Sequence, residues 1–197
     1  MTINPISVSS NRSARDYYTT LYQTALIISS SLELEQVLES IVKSTTEAMG
    51  AKAVGLRLLD PSTGQLRLSA KYGFSESYLN KGPVDIKHST IDTETLCNQV
   101  VYIPDVRVDP RFQYREAARK EGLVSVICVP LEVRGEAIGV LRVYSGTMTI
   151  FHDEDIKFLS VLASLAAQSI ENAQLYESLR NSYSGIVSAF WGTEIVH

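Results

Sequence analysis

Apolar residues recur at helical spacing near both ends of the chain and at alternating spacing in several stretches between them. From Ala14 to Ser29, the residues Tyr18, Leu21, Tyr22, Ala25 and Ile28 line one side of a predicted helix. The run Ser29-Ser30-Ser31 interrupts it and offers cap residues to a second helix. There Leu34, Val37, Leu38, Ile41, Val42, Thr45, Ala48 and Met49 form a single stripe that ends at Gly50. Ala53–Leu59 then reads as a strand of branched residues, followed by the turn Asp60-Pro61-Ser62-Thr63-Gly64. In the next run Leu66, Leu68, Ala70 and Tyr72 alternate with Arg67, Ser69 and Lys71. The two runs predict a hairpin whose second strand is half exposed, as at the edge of a sheet.

Residues 73–99 carry no sustained period and predict only short helical turns near Ser75–Asn80 and Thr93–Cys97. Val100–Ile103 is a short strand stopped by Pro104-Asp105, and Asp109-Pro110 opens a predicted helix through Arg119. Val124–Leu131 and Ala137–Tyr144 are two buried strands joined around Arg134-Gly135. Asp153–Arg180 is a long helix, and Asp153, Glu154 and Asp155 in its first turn oppose the positive end of its dipole. This order predicts an α+β domain, an antiparallel sheet with helices gathered on one face. Residues 1–13 read as a polar tail, 14–180 as the domain with its terminal helices, and 181–197 as an apolar tail.

Composition narrows the class. Of 197 residues, 45 % are hydrophobic and 20 % charged, as in an ordinary globular chain. Two cysteines, Cys97 and Cys128, supply neither a disulfide framework nor a CxxC knuckle and suit a reducing compartment. A net charge of −4 argues against nucleic acid or an anionic membrane as the main partner. The chain lacks an uninterrupted apolar run of about 18 residues, and Met1–Ser13 has no apolar core of the kind a signal peptide carries. A cytoplasmic location is therefore expected. A lone His88 makes no metal site, and no glycine-rich phosphate loop occurs. No cofactor is assigned.

Four stretches in this order and spacing resemble a GAF domain, the small-molecule sensor module of many signalling proteins. They are Leu38–Leu59 leading to Asp60; Val101–Val106 with Asp109-Pro110-Arg111-Phe112; Ser125–Leu131; and Gly139–Tyr144 followed by Phe151 and the acidic start of the last helix. The resemblance spans roughly residues 20–175. It implies a GAF-like central antiparallel sheet, with the N-terminal helices and the long C-terminal helix bundled on one face. A lid of short helices and loops covers a ligand pocket on the other. The subtype marks do not follow. The Asn-Lys pair of cyclic-nucleotide binders is replaced by Tyr144-Ser145, and Cys97 has no adjacent His such as pigment-attaching members carry. The reductase of free methionine sulfoxide carries a set of cysteines and a characteristic Trp, whereas the single Trp here, Trp191, lies in the tail.

Strand alternation places Leu56, Leu58, Ile127, Val129, Leu141 and Val143 toward the helices, and Gly55, Arg57, Val126, Cys128, Arg142 and Tyr144 toward the lid. With Phe74 and Tyr102, the residues Arg57, Val126, Cys128, Arg142 and Tyr144 form the candidate ligand pocket. Two arginines there could bind a carboxylate or phosphate, or pair with a lid carboxylate such as Asp92, Glu94 or Asp105; pairing is the preferred reading. Phe74, Tyr78, Tyr102, Phe112 and Tyr114 could stack on a planar ligand or fill a second small core, again the preferred reading.

On the last helix Leu159, Leu162, Ala166, Ile170 and Ala173 form one stripe within a wider apolar surface. Pairing with a second copy is expected there, as the resemblance implies, with an intramolecular bundle as the alternative. Three functions remain open: a dimeric sensor signalling to a downstream protein, a ligand-free GAF-fold interaction module, or a thiol reductase using Cys97 or Cys128. The first is preferred and the last is the least favoured, so no catalytic residue is assigned.

Overall fold

The stripe on the second helix needs an apolar surface to lie on, and a six-stranded antiparallel sheet supplies it. The computed structural model describes residues 14–30, 33–82, 84–85 and 89–191; at 14–16, 29–30, 85, 181 and 184–191 it describes the backbone alone. His88 lies outside the described residues, as do residues 1–13 and 192–197. Two helices, α1 (Ala14–Ser30) and α2 (Leu34–Met49), lead into a hairpin of β1 (Ala53–Asp60) and β2 (Gln65–Tyr72). The middle of the chain holds α3 (Glu76–Leu79), β3 (Val84–Asp85), α4 (Thr90–Leu96), β4 (Val101–Ile103) and α5 (Arg115–Glu121). A second hairpin, β5 (Ser125–Val133) and β6 (Glu136–Ser145), precedes the long α6 (Asp153–Trp191). The strand order is β3-β2-β1-β6-β5-β4. This is the α+β arrangement expected from the element order.

The sheet separates two cores. On one face Val37, Leu38, Ile41 and Val42 of α2 pack with Leu56, Ile127, Val129, Leu141 and Val143, and with Leu159, Leu162 and Ile170 of α6. On the other face Val126, Cys128, Val140 and Tyr144 pack with Ile91, Ile103, Phe112 and Tyr78 of the lid segment. Alternation along β1, β5 and β6 therefore runs as the sequence predicts.

Four elements depart from the sequence reading. The inward side of α1 is Tyr17, Leu21, Thr24 and Ile28, one position round from the predicted stripe, and Tyr18 and Tyr22 face outward. Tyr17 rather than Tyr18 turns in because it stacks on Phe158, with ring centroids 4.1 Å apart, and its hydroxyl donates to Asp155. In β2 the register slips: Leu56 pairs with Ala70 and Arg57 with Leu68, so Ser69 is bulged. Leu66 consequently joins the lid core and Ala70 the helix core, although they stand on the same phase of the alternation. The helix predicted from Asp109 begins only at Arg115, because Asp105 and Asp109 each fold back on the arginine two residues on. Each carboxylate accepts from that arginine's backbone N–H at 2.9 Å and from its side-chain fork. Finally, α6 runs past Arg180 to Trp191.

The passage from β2 into the lid depends on Gly73. Its φ is +83°, and a Cβ there would stand 2.3 Å from the Lys52 carbonyl oxygen, so only glycine fits. Among the described residues no helix is long and apolar enough to cross a membrane.

Candidate functional site

Strand pairing brings the two predicted arginines to one face. Gly55 lies opposite Arg142 and Arg57 opposite Val140, so the guanidinium groups rise from neighbouring strands about one side-chain repeat apart. Gly55 has no side chain between them, and Phe74 fills the space, 3.4 Å from where a Cβ would stand. Tyr78 stacks on Phe74 at 5.3 Å, and both meet Tyr144 edge-on. The lid thus presses an aromatic wall onto a polar patch of sheet.

Arg142 is 6 % exposed and Asp92, on α4, is fully buried. The Arg142 Nη2 donates to Asp92 Oδ1, and its Nη1 donates to the Tyr144 hydroxyl at 3.2 Å. Burial alone would lower the Arg142 pKa; Asp92 and then Tyr144 outweigh it and hold the guanidinium charged. Of the three candidate carboxylates, Asp92 takes Arg142, Glu94 lies 3.9 Å from Arg111, and Asp105 pairs with Arg107 at 2.7 Å. Arg57 is left without an ion pair among the described residues; its Nη1 reaches only the Leu66 carbonyl, at 3.4 Å. Burial, and next the charge of Arg142, lowers its pKa from the ordinary arginine value.

A third cation completes the patch, and the sequence reading missed it. Lys81 follows α3 in a turn, and its Nζ donates to the Tyr78 carbonyl at 3.3 Å while lying 3.6 Å above the Tyr78 ring. Burial, then Arg57 and Arg142, bring its pKa down to about 7. Nothing in Asn80-Lys81-Gly82 distinguishes this lysine from a solvated one, since its neighbours are set by the lid's return to the sheet. Three polar groups in the site have no hydrogen-bond partner among the described residues: Arg142 Nε, Asp92 Oδ2 and the Tyr78 hydroxyl.

Lys81 and Arg142 border two small chambers. One continues past Arg57 and Phe74, the other toward Ile91, Phe112 and Tyr114. Each leaves about 10 Å³ for the centre of a water molecule, about the space one water needs.

Of the predicted pocket residues, Arg57, Phe74, Arg142 and Tyr144 line the first chamber. Val126 and Cys128 are on the lid face but are sealed in its core, both 0 % exposed. Burial pushes the Cys128 thiol up to about 12, the reverse of what a nucleophilic thiolate requires. Cys97 is exposed at the end of α4. Tyr102 is not part of the pocket. Its register partner is Ile127, on the helix face, and its hydroxyl donates to the Thr149 carbonyl at 2.8 Å while its ring meets Phe151. Among the described residues no group of three or more His, Cys, Asp or Glu side chains converges as a metal site.

The site has a pH signature of its own. The Lys81 pKa is lower in the folded chain than in the unfolded one, so between about 7 and the ordinary lysine value the unfolded state binds more protons. Stability from this residue therefore rises with pH across that window. Urea titrations at pH 7 and pH 9.5 should show the rise in the parent chain and its loss in Lys81→Met.

The stretch 33–170 matches the family described as the GAF domain. A Nif-specific regulatory protein of Azorhizobium caulinodans is 25 % identical over 183 residues, covering 90 % of this chain and 30 % of that protein. The chain spans less than a third of the length of the curated relatives it matches. Among solved structures, the GAF domain of a phosphoenolpyruvate-protein phosphotransferase from Coxiella burnetii superposes with a TM-score of 0.76 at 22 % identity, covering 84 % of this chain and 99 % of that one. Free methionine-R-sulfoxide reductase from Neisseria meningitidis, in complex with its substrate, gives a TM-score of 0.71 at 22 % identity, covering 89 % and 99 %.

Proposed function

The chain belongs to the GAF domain family, and on that premise we propose that it is a cytoplasmic sensor module. A small molecule binds between lid and sheet, and α1 and α6, paired with those of a second copy, pass the change to a signalling partner. The observation that carries this reading is the cleft's unspent polarity. A lid that served packing alone would leave no reason for Arg57, without an ion pair among the described residues, to stand beside Arg142 Nε, Asp92 Oδ2 and the Tyr78 hydroxyl, three groups costly to bury unsatisfied. A ligand that satisfies these groups binds the opened lid better than the closed one, and that difference in affinity is what moves a signal.

The pairing surface is reassigned. Leu159, Leu162, Ala166 and Ile170 are at most 1 % exposed, held against the chain's own sheet and α2. They cannot also meet a second copy; only Ala173 of the predicted stripe is partly exposed. The outward side of α6 instead carries Val161, Leu165, Gln168, Asn172, Leu175 and Leu179, spaced alternately by four and three residues. That spacing is the seam of a two-stranded coiled coil, and polar Gln168 and Asn172 within it would set register. Tyr18, Tyr22 and Leu26 of α1, all at least half exposed, extend the apolar surface.

The second reading is a ligand-free interaction module. The narrowness of both chambers and the aromatic wall that fills the space over the arginines favour it. The buried thiol of Cys128 gives the reductase reading no support. Native mass spectrometry of the freshly purified chain, followed by its denatured mass, separates the first two. A dimer with a non-covalent adduct that disappears in Arg57→Gln is the expected result. A bare dimer, unchanged after incubation with cell metabolites, would favour the interaction module.

A further inference from the structure

We propose that the lid chamber selects a small dianion, a dicarboxylate or a tetrahedral oxyanion, held among Arg57, Arg142 and Lys81, and that a proton is taken up as the complex forms. The inference rests on the lid chamber being the ligand site. Charge sets the class. Three cationic side chains border the space; among the described residues Asp92 is the one carboxylate ion-paired with any of them, and Glu121, which faces Lys81 from outside the chambers, is held by Ser75. With Lys81 protonated the excess is two positive charges, so a monoanion leaves one uncompensated and a dianion closes the balance.

Geometry agrees with the count. Asp92 takes one end of the Arg142 fork, and the Nε edge remains free. Arg57 spends one long hydrogen bond on a backbone carbonyl and keeps its remaining donors. Guanidinium edges on adjacent strands suit the planar or tetrahedral oxygens of such an anion. The free Asp92 Oδ2 and the Tyr78 hydroxyl would accept from a hydroxyl on the same ligand. Phe74 and Tyr78 provide the apolar side for a short carbon chain. Neither chamber holds more than about one water, and Lys81 borders both. A dianion therefore enters by lifting Lys81 from the Tyr78 ring, which joins the chambers and couples occupancy to the lid.

The proton follows from what surrounds Lys81. Facing it are Arg57 from β1, Arg142 and Tyr144 from β6, and Tyr78 from α3. Among the described residues the others are Tyr114 before α5, Glu121 at its end and, behind Arg142, Asp92 on α4. Glu121 is held by the Ser75 N–H at 2.7 Å and makes no ion pair with Lys81. With its pKa brought down to about 7 by burial and the two arginines, Lys81 in the free chain loses its proton progressively as pH rises above that value. A dianion beside it restores the charge, so binding takes up a proton and weakens as pH rises, by up to tenfold per pH unit.

Isothermal titration of the full chain with succinate, with sulfate and with acetate, at pH 7.5 and 9.5 in two buffers of different ionisation enthalpy, tests this. The expected result is binding of succinate or sulfate at least tenfold tighter than acetate, with net proton uptake at the higher pH. The shape of the preferred probe then tells dicarboxylate from tetrahedral oxyanion. Arg57→Gln should weaken binding at least tenfold, and Lys81→Met should abolish the proton uptake in a folded chain. Dianion binding untouched by Arg57→Gln would overturn the proposal by placing the anion elsewhere. Absence of anion binding, with a neutral or cationic adduct in the native mass spectrum, overturns the dianion while leaving the ligand site intact. Absence of both overturns the sensor reading as well.

Discussion

Asp92→Ala is expected to lower folding stability by about 3–5 kcal/mol, the cost of stranding one member of a buried ion pair. For a domain of this size that is a fall in Tm of roughly 10 °C or more. Arg142 is buried between β6 and the lid, and Asp92 Oδ1 is its one carboxylate partner among the described residues. Arg57→Gln makes the informative comparison. It removes a cation that has no ion-pair partner among the described residues, so its effect should be near zero or stabilising. Thermal melts of the two variants in one buffer read the difference directly. If Asp92→Ala melts within about 2 °C of the parent, Arg142 is solvated in solution and the lid is open far more than its packing implies. The polar groups of the site would then be hydrated rather than buried unsatisfied.

The second large effect separates the two sides of α6. Leu162→Ala removes a fully buried side chain between the helix and the sheet and should cost about 2–5 kcal/mol. Leu175→Glu with Leu179→Glu touches residues that are 50 % and 71 % exposed, so the fold of a single chain should be little affected. Sedimentation equilibrium should nonetheless show the parent as a dimer and the double variant as a monomer at low micromolar concentration. A double variant that stays dimeric would remove the outward seam as the pairing surface. Loss of dimer in Leu162→Ala alone, with the seam variant unaffected, would return the interface to the predicted stripe.

Legibility in the sequence followed the length of the pattern. The stripe of α2 and the alternation of β1, β5 and β6 were readable because one face of each is buried over its whole length. Arg57 and Arg142 were readable as facing the lid for the same reason, since each sits one step out of phase with the helix-facing core. Patterns broke where a local event changed the phase. The bulge at Ser69 moved Leu66 and Ala70 to opposite faces without altering their spacing. In α1, both Tyr17 and Tyr18 fit an apolar stripe, and only the ring of Phe158 decides between them. The run 105–112 shows how side-chain chemistry overrides a cap signal. Asp109-Pro110 looks like a helix start, but its carboxylate is taken by Arg111.

What the sequence by itself determined was the α+β class, the GAF membership, the faces of the long strands and the presence of two arginines beneath the lid. These follow from periodicity and from motifs whose residues act within a few positions of one another. Only the tertiary structure decided which arginine keeps a partner, that Lys81 joins them, that Tyr102 faces away, and that the predicted α6 stripe is spent inside the chain. Each of those depends on where the irregular segment between β2 and β5 returns to the sheet, or on which elements cover a given side of a helix. Such pairings join residues far apart in sequence, Asp92 with Arg142 across 50 positions, and no local pattern carries that information.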